Sequence, residues 1–146
     1  MVPALDDIDR AILAALAEDG RMAIRALAER LHISRTNAYA RLERLLAEKV
    51  ITGFGARVDP RLTGLGTSAY IMITVEQTNW RMLAVELREL PYVEHVALVG
   101  GDFDILMLVR TPDNTVLRDV VLGRLQALDG VRSTRTWLIF EEIGSV

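Results

Sequence analysis

"RLHISRTNAYARLERL", residues 30–45, carries apolar residues at helical spacing, breaks at His32 and starts afresh at Ser34. Ser34 is a good N-cap, and the helix after it should run to about Glu48. Its buried side would be Ala38, Leu42, Leu45 and Leu46. Just upstream, "AIRALAERL" predicts a short helix with Ile24, Leu27, Ala28 and Leu31 on one face. Before that, "LDDIDRAILAALAEDG" predicts a first helix with Ile8, Ile12, Leu13 and Leu16 turned inward and Gly20 as a stop. Asp6, Asp7 and Asp9 at its start suit the helix dipole and capping. Downstream, "VITGFGARVDP" has strand composition with Gly53 and Gly55 inside it, as a small hairpin or wing would.

Two helices joined by a tight turn at His32 have the make-up of a helix-turn-helix, spanning about residues 24–43. Ala28 is small enough for the second helix to approach, and Ile33 could pack beneath the turn. Ala38, Leu42 and Leu45 facing inward leave Thr36, Tyr39, Ala40 and Glu43 on the opposite arc. Short side chains there would let the helix approach base edges in a major groove. Arg35 would reach guanine, Thr36 and Ala40 would sit against thymine methyls, and Ser34 and Tyr39 would bind phosphate. Arg44 completes this DNA-facing set. The competing reading is a three-helix core that touches nothing.

Charge is compatible with that reading without demanding it. The 146 residues carry a formal charge of −3, and the two halves, 1–60 and 61–146, hold nine and eight cations against nine and eleven anions. Within Arg30–Arg57, however, six cations stand against only Glu43 and Glu48, an excess that could meet phosphates. A hydrophobic content of 51% is that of a globular chain. Without cysteine, a disulfide framework, a thiolate metal site and a cysteine nucleophile are excluded. His32 and His95 are too few and too far apart for a metal cluster. No P-loop, dinucleotide fingerprint or Ser/His/Asp set occurs, so neither a metal nor a cofactor is expected, nor catalysis. The N-terminus lacks the order of a signal peptide, and no apolar run approaches the roughly 18 residues of a membrane span. The expected location is the cytoplasm.

"DPRLTGLG" is the one convincing linker, here placed at 60–66, and after it the period changes. "TSAYIMITVE" alternates with Ala69, Ile71, Ile73 and Val75 on one face. "WRMLAVELREL" is helical, with Trp80, Leu83, Ala84 and Leu87 aligned. "VEHVALV" and "FDILMLVR" are short apolar strands joined by Gly100-Gly101-Asp102, a hairpin signal. "PDNTVLRDVVLGRLQAL" is helical with Leu117, Val120, Val121 and Leu128 on its stripe, and "VRSTRTWLIFEEI" closes as a strand. The order β-α-β-β-α-β is the ferredoxin-like arrangement. "LPYV" at 90–93 and "LDGV" at 128–131 echo one another, each ending a helix and opening a strand. Helices cover such a sheet on one face only, so the face with Tyr70 and Met72 needs a partner, expected to be a second copy. His95, between apolar neighbours, reads as a partly buried, hydrogen-bonded side chain. Trp80 and Trp137 read as packing or interface residues.

"VGGDFD" is the second candidate site. Two glycines in a turn supply positive φ, but that leaves Asp104 unexplained at the start of an apolar strand. A carboxylate there must be exposed, paired or waiting for a cation. An amino acid would offer an α-ammonium to Asp104 and a carboxylate to the backbone N–H groups of the turn.

"LDDIDRAILAALAEDGR", the spacing of Ser34 to Arg41, "RLERL", "VITGFGARVDP" with its trailing "GLG", and "GGDFDILMLV" together resemble the Lrp/AsnC family of amino-acid-responsive transcription regulators. The resemblance runs over essentially the whole chain in order and spacing. It implies an α+β protein: an N-terminal winged helix-turn-helix over 1–59 and a C-terminal ferredoxin-like βαββαβ effector domain over 67–146. It further implies dimers formed by the sheet face, often assembled into octamers, binding double-stranded DNA at an imperfect palindrome. By the same resemblance the effector amino acid binds at contacts between dimers, around Gly100, Gly101, Asp102 and Asp104, with polar contacts from Thr134 and Thr136. Two departures are visible. His32 stands where relatives usually have Gly, though histidine tolerates positive φ better than most residues. Ala38 replaces the usual β-branched residue.

Two other readings compete. Sirohaem decarboxylases share the two-domain plan, but they would need histidines and arginines converging on a large cavity, and His32 and His95 are poorly placed for that. A winged-helix adaptor without DNA affinity is the other, since Glu43 on the exposed arc could repel phosphate.

Overall fold

A computed structural model describes residues 3–76 and 80–143. The chain divides into two compact units, Met1–Arg57 and Val58–Val146.

The first unit is three helices: α1 (Asp7–Glu18), α2 (Ile24–Arg30) and α3 (Arg35–Ala47). Ile12, Leu27 and Leu45, one from each helix, are fully buried and form its core with Ala15. Ala28 and Ala38 are also buried, so the small residues sit where the helices come close. His32 adopts φ 53° in the turn, the left-handed conformation that Gly would take at no steric cost. Ile33 N–H then bonds the Ala28 carbonyl at 3.0 Å, closing the turn. Leu46, expected inside, is 36% exposed at the end of α3. The expected wing hairpin is not formed: residues 52–59 carry no strand. Ideal Cβ atoms at Gly53 and Gly55 would meet nothing within 4 Å, and a lone two-stranded hairpin is marginal without a third strand or a packed face.

The second unit follows the order β1 (Thr67–Val75), α4 (Trp80–Arg88), β2 (Val93–Leu98), β3 (Ile105–Thr111), α5 (Asn114–Val116), α6 (Gly123–Gln126) and β4 (Val131–Ile139). Its four strands form an antiparallel sheet in the order β2-β3-β1-β4. This is the expected ferredoxin-like layout. Ala69, Ile71, Ile73 and Val75 alternate into the core, against Leu83 and Leu87 of α4. Between α5 and α6 the chain takes a wider π-helical turn, Leu117–Leu122. Leu117, Val121 and Leu125 are all buried, and their four-residue repeat would drift around a helix of 3.6 residues per turn. Widening the turn keeps them aligned on the core.

The register lays out the other face of the sheet. Leu108, Tyr70 and Trp137 stand abreast on β3, β1 and β4, with His95 opposite Leu108 on β2. Below them lie Ala97, Leu106, Met72 and Arg135, then Thr74 beside Ser133. His95 is therefore exposed and not partly buried as expected, because the helices of this unit pack on the opposite face. Trp137 is 63% exposed.

Candidate functional site

The recognition surface begins at α3. Ser34 Oγ accepts from the Asn37 N–H at 3.1 Å, which seats the helix start as the sequence implied. Arg35, Thr36, Tyr39 and Ala40 are exposed together on the arc opposite buried Ala38 and Leu45. Arg44 does not join them. Its Nη2 donates to the Asp9 carboxylate at 2.6 Å, and its Nη1 lies 3.6 Å from Glu48. One turn earlier, Arg41 Nη1 reaches Asp9 at 2.8 Å and Asp6 at 2.7 Å, while its Nε donates to Asn37.

Asp9 is the hub of this cluster and was not legible as one. It is 1% exposed, and with Asp6 it forms a reciprocal capping box at the start of α1. Burial pushes the Asp9 carboxyl up, but the bonds from Arg44, the Asp6 N–H and Arg41 outweigh it and hold the group well below the usual carboxylate range. Arg30 is likewise paired, with Glu18 at 2.6 Å. Among the described residues, the cations of Arg30–Arg57 with no ion-pair partner are Arg35, Lys49 and Arg57. The charge excess counted along the stretch is thus largely met by carboxylates of α1.

In the second unit the six expected effector residues separate. Gly101, with φ 141°, makes the turn between β2 and β3. Asp104 is already engaged: its Oδ2 accepts from the Val75 N–H at 2.9 Å, and its own N–H donates to the Ile73 carbonyl at 3.0 Å. The β1–β3 ladder ends at Ile73 opposite Ile105, and the carboxylate takes over the next backbone donor. Through these bonds Asp104 fastens the end of the sheet with one carboxylate oxygen. Thr134 and Thr136 pair with Ile73 and Ile71, so they share the helix-covered face with those buried residues. Asp102 lies elsewhere, in a concavity of about 230 Å³ lined by Met72, Thr74, Phe103, Ser133 and Arg135. A second, more apolar cavity of about 210 Å³ lies among Val75, Trp80, Leu98, Val99 and Asp104.

The opposite end of the sheet holds a polar knot that sequence reading missed. Arg110, 8% exposed on β3, donates to Glu94, to Ser68 Oγ at 2.9 Å and bidentately to Glu142 at 2.7 and 3.0 Å. Glu142 first, then Glu94, hold the guanidinium firmly protonated against the opposing effect of burial. Four of the five guanidinium N–H groups are used, and two carboxylates face the one cation, so the knot ties the sheet end together.

Comparison with known proteins bears on both units. The family model of the AsnC-type helix-turn-helix domain matches residues 5–46, and that of the Lrp/AsnC ligand binding domain matches 68–145. An uncharacterised HTH-type transcriptional regulator of Pyrococcus abyssi is 38% identical over 92% of this chain and 85% of its own. The leucine response regulatory protein of Mycobacterium tuberculosis is similar in structure with a TM-score of 0.84 at 34% identity, covering 97% of this chain and 96% of that one. A transcriptional regulator of Neisseria meningitidis solved as an L-Met complex gives a TM-score of 0.88 at 25% identity, covering 97% and 94%.

Proposed function

Because the chain belongs to the Lrp/AsnC family, we propose that it is a sequence-specific DNA-binding transcription regulator, with no catalytic role, whose DNA affinity or assembly responds to a small amino acid. The observation that carries the DNA half is the exposed arc of α3. Arg35, Thr36, Tyr39 and Ala40 project from a helix whose back is locked into the core and whose start is capped by Ser34. Arg35 reads guanine, Thr36 and Ala40 lie against thymine methyls, and Ser34 and Tyr39 touch phosphate. A twofold pair of such helices reads an imperfect palindrome spaced by about one helical turn or a multiple. The row Leu108, Tyr70 and Trp137 is the surface on which a second copy closes the sheet, and dimers of this kind can build octamers.

For the amino acid, the seat with suitable chemistry is the turn of Gly100 and Gly101 with Asp102 and Arg135. A carboxylate and a guanidinium line one concavity without forming an ion pair with each other, which suits the ammonium and carboxylate of a zwitterion. Thr74 and Ser133 add hydroxyls to the same lining. The L-Met complex of the meningococcal relative supports an amino acid as the ligand class.

The direct test is binding to the duplex upstream of the protein's own gene, titrated in salt beside a scrambled duplex. Tight, sequence-dependent and salt-sensitive binding is expected, altered by one amino acid from a screen of twenty. Equal weak binding to both duplexes, unchanged by any amino acid and repeated on sites selected from a random library, would favour the adaptor reading.

A further inference from the structure

Two arginines on the flank of a DNA-reading helix would ordinarily count as phosphate contacts. Here Arg41 and Arg44 meet Asp6 and Asp9, with Glu48 3.6 Å from Arg44, so carboxylates at least balance the two guanidiniums. Asp9 binds both arginines and is almost wholly buried, whereas Asp6 is half exposed and touches only Arg41. If either arginine leaves for phosphate, the buried Asp9 carboxylate gives up one of its two cationic partners, which is unfavourable for a buried charge. The arrangement also fixes α3 against α1 by two charge-assisted bonds three residues apart, in line with the cap of α1.

We propose that Asp9 is a specificity-determining positioning residue: it withholds Arg41 and Arg44 from phosphate and so keeps sequence-independent DNA affinity low. This inference rests on the DNA-binding reading above. Non-specific affinity is set by the number of phosphates neutralised, while specific affinity adds base contacts made by other side chains. Neutralising two cations on the reading helix lowers the first without touching the second. The ratio of specific to non-specific binding therefore rises.

The experiment measures salt dependence on a mixed-sequence duplex and on a duplex selected from a random library, with thermal unfolding of each variant recorded alongside. Asp9→Asn frees charge, and on the mixed duplex its log–log salt slope should steepen by roughly 0.9 per phosphate gained. For one phosphate that is a further loss of about three- to fourfold between 50 and 200 mM salt. Its discrimination between the two duplexes should fall. The charge-balanced double variant Asp9→Asn with Arg44→Met should keep the wild-type slope, because it removes a neutral pair. A folded Asp9→Asn protein with an unchanged slope overturns the inference. So does a double variant whose slope is flatter by about 0.9, since Arg44 would then be a phosphate contact. Should Asp9→Asn fail to fold, a double variant with a flatter slope still overturns the inference. A wild type that binds neither duplex would overturn the DNA-binding reading and the clamp with it; a binding wild type with equal variant slopes sinks the clamp only.

Discussion

Asp9 in the first helix and Arg44 in the third, 35 residues apart in the chain, are joined at 2.6 Å across the helical unit. The pair divides the cations of α3 by task. Arg44 and Arg41 hold the unit together, and Arg35 remains free at the exposed helix start.

Replacing Arg35 by Ala should weaken binding to the selected site by roughly 1–3 kcal/mol and relax preference at a single base pair. Thermal stability should stay as it was. A binding isotherm over a set of single-base variants of the site checks this, and unaltered affinity removes Arg35 from the interface.

Ser34 caps α3 and is proposed to touch phosphate, and two substitutions separate the two roles. Ser34→Ala loses the bond to the Asn37 N–H and should lower stability by about 1 kcal/mol while weakening DNA binding. Ser34→Asp keeps a capping oxygen, so stability should be retained, but its charge should repel phosphate. Denaturant unfolding beside DNA titration shows whether the two effects part in this way.

The Asp9 carboxyl is held below its unfolded value of 3.8. The unfolded chain therefore binds its proton first as pH falls, and the stabilisation by Asp9 is complete above that value and lost below it. Urea midpoints measured from pH 6 down to pH 2.5 should show wild type well above Asp9→Asn near neutrality, with the gap narrowing as the solution turns acid. A gap constant over that range would mean that the ion pairs contribute nothing.

Trp137 and Tyr70 are opposed across β4 and β1 on the face turned away from the helices of this unit. If the proposed sheet-face dimer forms, Trp137→Arg should convert it to a monomer in sedimentation equilibrium while leaving the circular dichroism of the core unchanged, since the residue is 63% exposed in a single chain. A dimer of undiminished affinity would place the interface elsewhere.

Asp102 and Asp104, two residues apart, should respond differently. Asp102→Ala or Arg135→Ala should abolish the effect of the amino acid on DNA binding with stability intact. Asp104→Ala should instead lower stability, by about 1–2 kcal/mol for the lost bond to the Val75 N–H. Calorimetric titration with the effector, run beside thermal unfolding, distinguishes them.

Periodicity determined most elements of this protein, though not the wing, whose strand pattern over residues 52–59 forms no strand. Spacings of three and four marked α1 to α3, alternation placed Ala69, Ile71, Ile73 and Val75 in the core, and the order of elements carried the ferredoxin-like layout. Ser34 as a cap and His32 at a positive φ were legible because both are local: a cap bonds three residues along, and a backbone angle belongs to one residue. What lay beyond local reach was decided only when the chain folded. Arg44 looks like a DNA contact until α1 brings Asp9 to it, and Asp104 looks like a free anion until the end of β1 presents an unpaired N–H. Thr134 and Thr136 turned to the helix-covered face because strand register sets the parity of every side chain on β4. The Arg110 knot gathers β1, β2, β3 and the segment after β4, four stretches with no local relation. A pattern in the chain states which way a residue faces within its own element; whom it meets is set by long-range pairing, which no local period encodes.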